Sequence, residues 1–162
     1  MKVLGIDPGF SVTGFSIAQK NGQSFYLLDY GYLSMPSSQS LACRISCFHD
    51  FFSQKIIDHQ ITDIALETPF LGKNAQNFLK LGYLRGILYL LSERYKTGLH
   101  EFSPREVKLS LTGFGGASKE QVARVVGQLF PTMPPTKKLD VTDAIAITLC
   151  GLWKNKQPHF RR

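Results

Sequence analysis

Four carboxylates stand where this chain could do chemistry. Asp7 closes the apolar run Val-Leu-Gly-Ile at 3–6, and Glu67 closes a second, Ile-Ala-Leu at 64–66. Asp140 and Asp143 lie three apart at the head of an apolar helix near the C-terminus. Carboxylates at the ends of buried strands are costly to desolvate unless something positive neutralises them. The chain has 19 Lys and Arg against 12 Asp and Glu, a net charge of +7. Four acids in so basic a protein suit a divalent-metal cage facing a polyanion. Hard oxygen donors favour Mg²⁺ or Mn²⁺ over zinc.

Each acid also has a plainer reading. Asp-Pro-Gly at 7–9 is good turn chemistry, and Glu67 could be a surface residue at a strand end. Asp140 and Asp143 could cap a helix and complement its dipole. Against these, the strand before Asp7 is apolar on both faces, so its C-terminal end opens on the crevice where α/β proteins place ligands. The helix after Asp143 reads Ala-Ile-Ala-Ile-Thr-Leu, buried nearly all round, and residues three apart project on one side. If the two strands are central and parallel, Asp7 and Glu67 end side by side, and one pKa rises unless a cation intervenes.

The elements that must position these acids follow from pattern. Strands are predicted at 2–6, 15–19 and 24–33, the last two joined at an Asn21-Gly22 hairpin. A helix capped by Ser38 or Ser40 runs to about His59, with Leu41, Ile45, Phe48, Phe52 and Ile56 on one face. A parallel crossover strand follows at 62–67, then a long helix to about Tyr95 and a short strand at 100–103. Pro104 opens a brief helix ending near Gly113, and Ser118 with Gln121 forms a capping box for the next. The last helix spans Asp140 to about Trp153. This describes one mixed α/β domain at 1–155 with a basic tail at 156–162. Cys43, Cys47 and Cys150 read as core thiols of a reducing compartment rather than a disulfide framework. Asp7 and Pro8 interrupt any signal sequence, and no stretch is apolar enough to span a bilayer, so a cytoplasmic protein is expected.

Other residues carry weaker signals. Gly82 and Gly86 leave a small-residue groove on a long helix that is apolar on more than one stripe, which reads either as a buried central helix or as a homodimer interface. Phe70, beside Lys73, could stack on a splayed base or simply anchor its loop. Lys108 and Lys119 flank the glycine loop 113–116 and could meet phosphates, or could be ordinary solvated helix residues.

Four stretches together resemble the RuvC-type Holliday junction resolvases: GIDPGFSVTGF, ALETPFLGKNAQNFLKLGYLRG, EVK followed by LTGFGGASKEQV, and LDVTDAIAI. Their order and spacing match over nearly the whole length. The resemblance implies a ribonuclease H-like fold with a mixed five-stranded sheet flanked by helices. It implies a homodimer that nicks four-way DNA junctions symmetrically with Mg²⁺, two ions per site and Mn²⁺ as a substitute, leaving 5′-phosphate and 3′-hydroxyl ends. By position, the metal-binding and catalytic acids would be Asp7, Glu67, Asp140 and Asp143. Phe70 falls on the family's junction-stacking aromatic, Lys108 and Lys119 on its basic DNA-contacting residues, and Gly82 and Gly86 on its dimer helix. A RuvA–RuvB branch-migration complex is the implied partner. Phe78 and Leu84 depart from the small residues usual there.

An actin-like ATPase shares the Asp-x-Gly loop but needs two lobes, for which 162 residues leave no room. A silent junction-binding module would lack the acids. A ribonuclease H-like nuclease acting on another branched DNA or on RNA is the closer alternative.

Overall fold

The computed structural model describes residues 1–69, 75–133 and 139–154. Three strands open the chain: β1 (Lys2–Asp7), β2 (Val12–Asn21) and β3 (Ser24–Ser34). The β2–β3 hairpin turns at Gly22, whose φ of 59° lies where glycine is unstrained. Helix α1 (Leu41–His59) then crosses to β4 (Asp63–Glu67), and α2 (Ala75–Tyr95) to β5 (Gly98–Phe102). Helices α3 (Pro104–Thr112), α4 (Lys119–Leu129) and α5 (Leu139–Trp153) complete the order. The sheet runs β3-β2-β1-β4-β5. The first three strands are antiparallel, and β1–β4 and β4–β5 are parallel.

Alternation along the two central strands sorts the layers. Leu4, Ile6, Ile64 and Leu66 point to one face, where Phe48, Phe52, Leu84, Leu88 and Leu91 of α1 and α2 cover them. Val3 and Ala65 point to the other, beneath α3, α4 and α5. Because strand side chains alternate, Asp7 and Glu67 belong to this second face. Helix α5 lies directly on it, and eleven of its fifteen residues are buried.

Helix starts follow local chemistry. The Ser40 hydroxyl accepts from the Cys43 amide, and Ser103–Glu106 and Ser118–Gln121 form capping boxes. Three expectations need correction. β2 begins at Val12, inside the expected turn, because the buried Thr13 hydroxyl donates to the Gly9 carbonyl at 2.8 Å and closes the turn sooner. On α1 the buried row starts with Arg44, while Leu41 is exposed. The Arg44 guanidinium stacks 3.9 Å from the Phe10 ring centroid and donates to the Phe10 carbonyl, which makes its burial tolerable. Cys43 is exposed and Cys47 half-buried, so only Cys150 is a core thiol. Among the described residues, no helix is long and apolar enough to cross a membrane. The tail at 156–162 lies outside the described residues.

Candidate active site

The acid site exists because one helix comes unusually close to the sheet. A Cβ on Gly5 would stand 2.6 Å from the Thr148 amide nitrogen and 2.7 Å from the Ala144 carbonyl of α5. One on Gly14 would overlap the main-chain carbonyl of Asp140 and come within 3.1 Å of its Cβ. Only glycine permits that approach. Across the same contact the Ser16 and Thr148 hydroxyls bond to each other, and they lie 3.2 and 2.8 Å from the Ala144 carbonyl, so that one donates to the other and the second to the carbonyl. These buried polar groups are thus paired, which offsets their desolvation and fixes the helix's register on β2.

Register places the strand acids. Ile6 pairs with Leu66 in the parallel β1–β4 ladder, so Asp7 and Glu67 follow side by side on the α5 face. Asp7, Glu67 and Asp143 line a cleft of about 200 Å³ together with Pro104, Lys108 and Lys119. Three of the four expected acids and two of the three expected lysines therefore share one cavity, contributed by β1, β4, α3, α4 and α5. Asp140 does not line it. Its main chain abuts Gly14, and its carboxylate is close enough to raise the pKa of Asp7.

The electrostatics are those of an under-neutralised acid cluster. Burial, then Asp143, Glu67 and Asp140, push Asp7 from an ordinary 3.8 up to about 7. Burial and Asp143 also raise Glu67. The opposing charge is Lys119, whose ammonium donates to Asp143 Oδ2 at 2.6 Å and is itself raised by that bond. Lys108 acts more weakly on Glu67. Among the described residues no three ligating side chains already form a closed cage, and Lys119 lies against Asp143 instead. The donor set still fits a hard divalent cation. All the donors are carboxylate oxygens, and two of the acids hold raised pKa values that a cation would relieve.

A family model for the crossover junction endodeoxyribonuclease RuvC matches residues 3–151. The chain belongs to the RuvC family. The RuvC of Prosthecochloris aestuarii is 42% identical over 152 residues, covering 94% of this chain and 81% of that protein. The RuvC of Chloroherpeton thalassium is 41% identical over 155 residues, covering 96% and 83%. The Thermus thermophilus RuvC solved in complex with a Holliday junction substrate superposes with a TM-score of 0.90 at 23% identity, covering 96% of this chain and 95% of that one. That likeness establishes the ribonuclease H-like fold. Membership makes the protein an endodeoxyribonuclease of a divalent-metal-dependent family.

The remaining expected residues are placed unevenly. Gly82 and Gly86 lie on the open side of α2, where a Cβ at either would meet nothing within 4 Å. Leu79 and Leu90 on that side are 57% and 53% exposed, and Tyr83 is exposed beside them. Leu84, Leu88 and Leu91 fill the other side, so α2 is half-covered rather than central. Phe70 and Lys73 lie outside the described residues. Sequence reasoning missed Gly14, Ser16, Thr148 and Arg85, whose importance lies in contacts 16 to 132 residues away in the chain. A buried-helix sequence interrupted by Thr148 was the available signal for one of them.

Proposed function

We propose that this crossover junction endodeoxyribonuclease resolves four-way (Holliday) DNA junctions by paired, symmetric, Mg²⁺-dependent nicks, in recombination and repair. The observation that carries the reading is the single cleft in which Asp7, Glu67 and Asp143 meet Lys108 and Lys119. In this reading Asp7, Glu67, Asp140 and Asp143 hold two Mg²⁺ ions, with Mn²⁺ as a substitute. When bound, the ions supply charge neutralisation at the scissile phosphate and acidification of water. The chain's own groups do the rest. Glu67, Asp143 and Asp7, the last ionising as pH rises through about 7, offer carboxylate oxygens to the cation, and Pro104, Val107 and Val122 line the cleft beside them. Lys119, more than half exposed, can leave Asp143 for a phosphate oxygen, and Lys108 flanks the same strand.

The apolar, small-residue stripe Leu79, Gly82, Tyr83, Gly86 and Leu90 supports a homodimer packed through α2. Two cleavage sites related by a two-fold axis would match a two-fold junction. Phe70 and Lys73, three and six residues beyond Glu67, belong to this proposal as DNA contacts. So do one nuclease domain at 1–155 with a basic tail at 156–162, a cytoplasmic location, and cooperation with RuvA–RuvB.

The test uses labelled four-way junction, linear duplex and RNA–DNA hybrid, each with Mg²⁺ or EDTA. Symmetric Mg²⁺-dependent nicks confined to the junction are expected. Cutting of the hybrid or of linear duplex in place of the junction would overturn the substrate assignment.

A further inference from the structure

Strand β4 delivers Glu67 at its last residue, and the ladder there is thin. On the β1 side pairing ends at Ile6↔Leu66, one residue short of Glu67. On the β5 side, Thr68 donates to the Phe102 carbonyl at 2.8 Å. A carboxylate at a strand terminus needs some further hold if its position is to be reproducible to the few tenths of an ångström that ligation requires.

That hold comes from the opposite face of the sheet. Arg85 of α2 is 8% exposed. Its Nη1 donates to the Glu67 carbonyl at 2.7 Å, and its Nη2 pairs with Glu101 Oε1 on β5. The Tyr89 hydroxyl donates to the same Glu101 oxygen at 2.8 Å. An ion pair between α2 and β5 would account for Glu101 alone. It leaves unexplained the second arm of the fork, which is spent on the main chain of a cleft acid. The same guanidinium and Leu81 also border a smaller cavity shared with Asp7 and Glu67.

We propose that Arg85 is a positioning residue of the cleavage site. Its planar fork locks the main chain of Glu67 against β5 so that the Glu67 carboxylate meets metal in one orientation. The inference rests on the reading of Glu67 as a metal-holding acid. Lysine cannot substitute, because a point charge on a flexible stem satisfies Glu101 without spanning to the carbonyl.

The decisive experiment is Mn²⁺ binding to the DNA-free protein, read as loss of the free-ion electron paramagnetic resonance signal. It compares wild type, Arg85→Lys, Arg85→Met and Glu67→Gln, alongside thermal unfolding and junction binding in EDTA. Arg85→Lys is expected to unfold near the wild-type temperature and to bind junction within about two-fold, yet to need about ten-fold more Mn²⁺ for half-saturation, the loss usual when a ligand's support is removed. Arg85→Met should weaken Mn²⁺ binding at least as much. Wild-type Mn²⁺ binding by Arg85→Lys would reduce the arginine to a structural ion pair and overturn the proposal, while weakened binding by Glu67→Gln would leave the site reading intact. Wild-type Mn²⁺ binding by Glu67→Gln would remove Glu67 as a ligand, and the proposal would fall with it.

Discussion

Asp7→Asn should make the metal-free protein more stable while abolishing cleavage. In the folded chain the Asp7 carboxyl is held at about 7 instead of 3.8, chiefly by burial and then by Asp143, Glu67 and Asp140. Each tenfold change in proton affinity is worth 1.36 kcal/mol, so keeping Asp7 ionised costs the fold about 4 kcal/mol once the pH is above both values. The sign follows from the raised folded pKa. Folding takes up a proton here, so the contribution is fully present below 3.8, declines as pH rises and is gone above about 7. Asparagine keeps the shape and never ionises. In EDTA, Asp7→Asn should therefore match wild type near pH 4 and exceed it by roughly 2–4 kcal/mol at pH 8, allowing for an amide that is imperfectly paired. Urea unfolding at pH 4, 6 and 8, with and without Mn²⁺, measures this. Mn²⁺ should stabilise wild type and leave the variant nearly unchanged. A variant no more stable than wild type at pH 8, or one that still nicks junctions, would refute the under-neutralised cluster.

Gly14→Ala should push α5 off the sheet, because its Cβ would overlap the Asp140 carbonyl. A loss of about 1–3 kcal/mol is expected, read as a lower thermal midpoint by circular dichroism, with cleavage falling alongside. An unchanged midpoint would mean the approach is not as close as described. Lys119→Met removes a charge that lowers Asp7 and bonds Asp143. The pH of half-maximal Mn²⁺ binding should move upward, and the salt slope of junction binding should shrink by about 1. A downward pH displacement would contradict the role given to this lysine. Leu90→Asp, on the open side of α2, should halve the mass seen by sedimentation while leaving the far-ultraviolet spectrum intact. A dimer that survives it places the interface elsewhere.

Much of this architecture was legible from pattern, and the reason is local. The Asn21-Gly22 turn, the serine caps at Ser40 and Ser118, and the proline at position 104 are each decided by the chemistry of a few neighbouring residues. Where the pattern misled, a distant contact had overruled it. Arg44 is buried in place of Leu41 because Phe10, 34 residues earlier, supplies both a ring and a carbonyl. Cys43 is exposed while Arg44, the next residue, turns in toward Phe10 and Ser11 of the loop between β1 and β2.

The candidate site divides along the same line. Strand-ending acids are visible in sequence because an ionisable residue interrupting an apolar run is a desolvation problem that can be recognised without coordinates. From that came Asp7 and Glu67, and from the spacing at the head of the apolar last helix the Asp140–Asp143 pair, and with them the expectation of a cation-binding chemistry. Which of the four share a cavity was decided by the tertiary structure. The parallel register sets Asp7 beside Glu67, the glycine contact at Gly14 brings α5 down onto them, and Asp143 enters the cleft while Asp140 stays at its edge. The supporting arginine could not be read in advance either. Its meaning lies in a hydrogen bond to a main-chain carbonyl 18 residues away, and a carbonyl is the one group every residue has, so no pattern of side chains announces it.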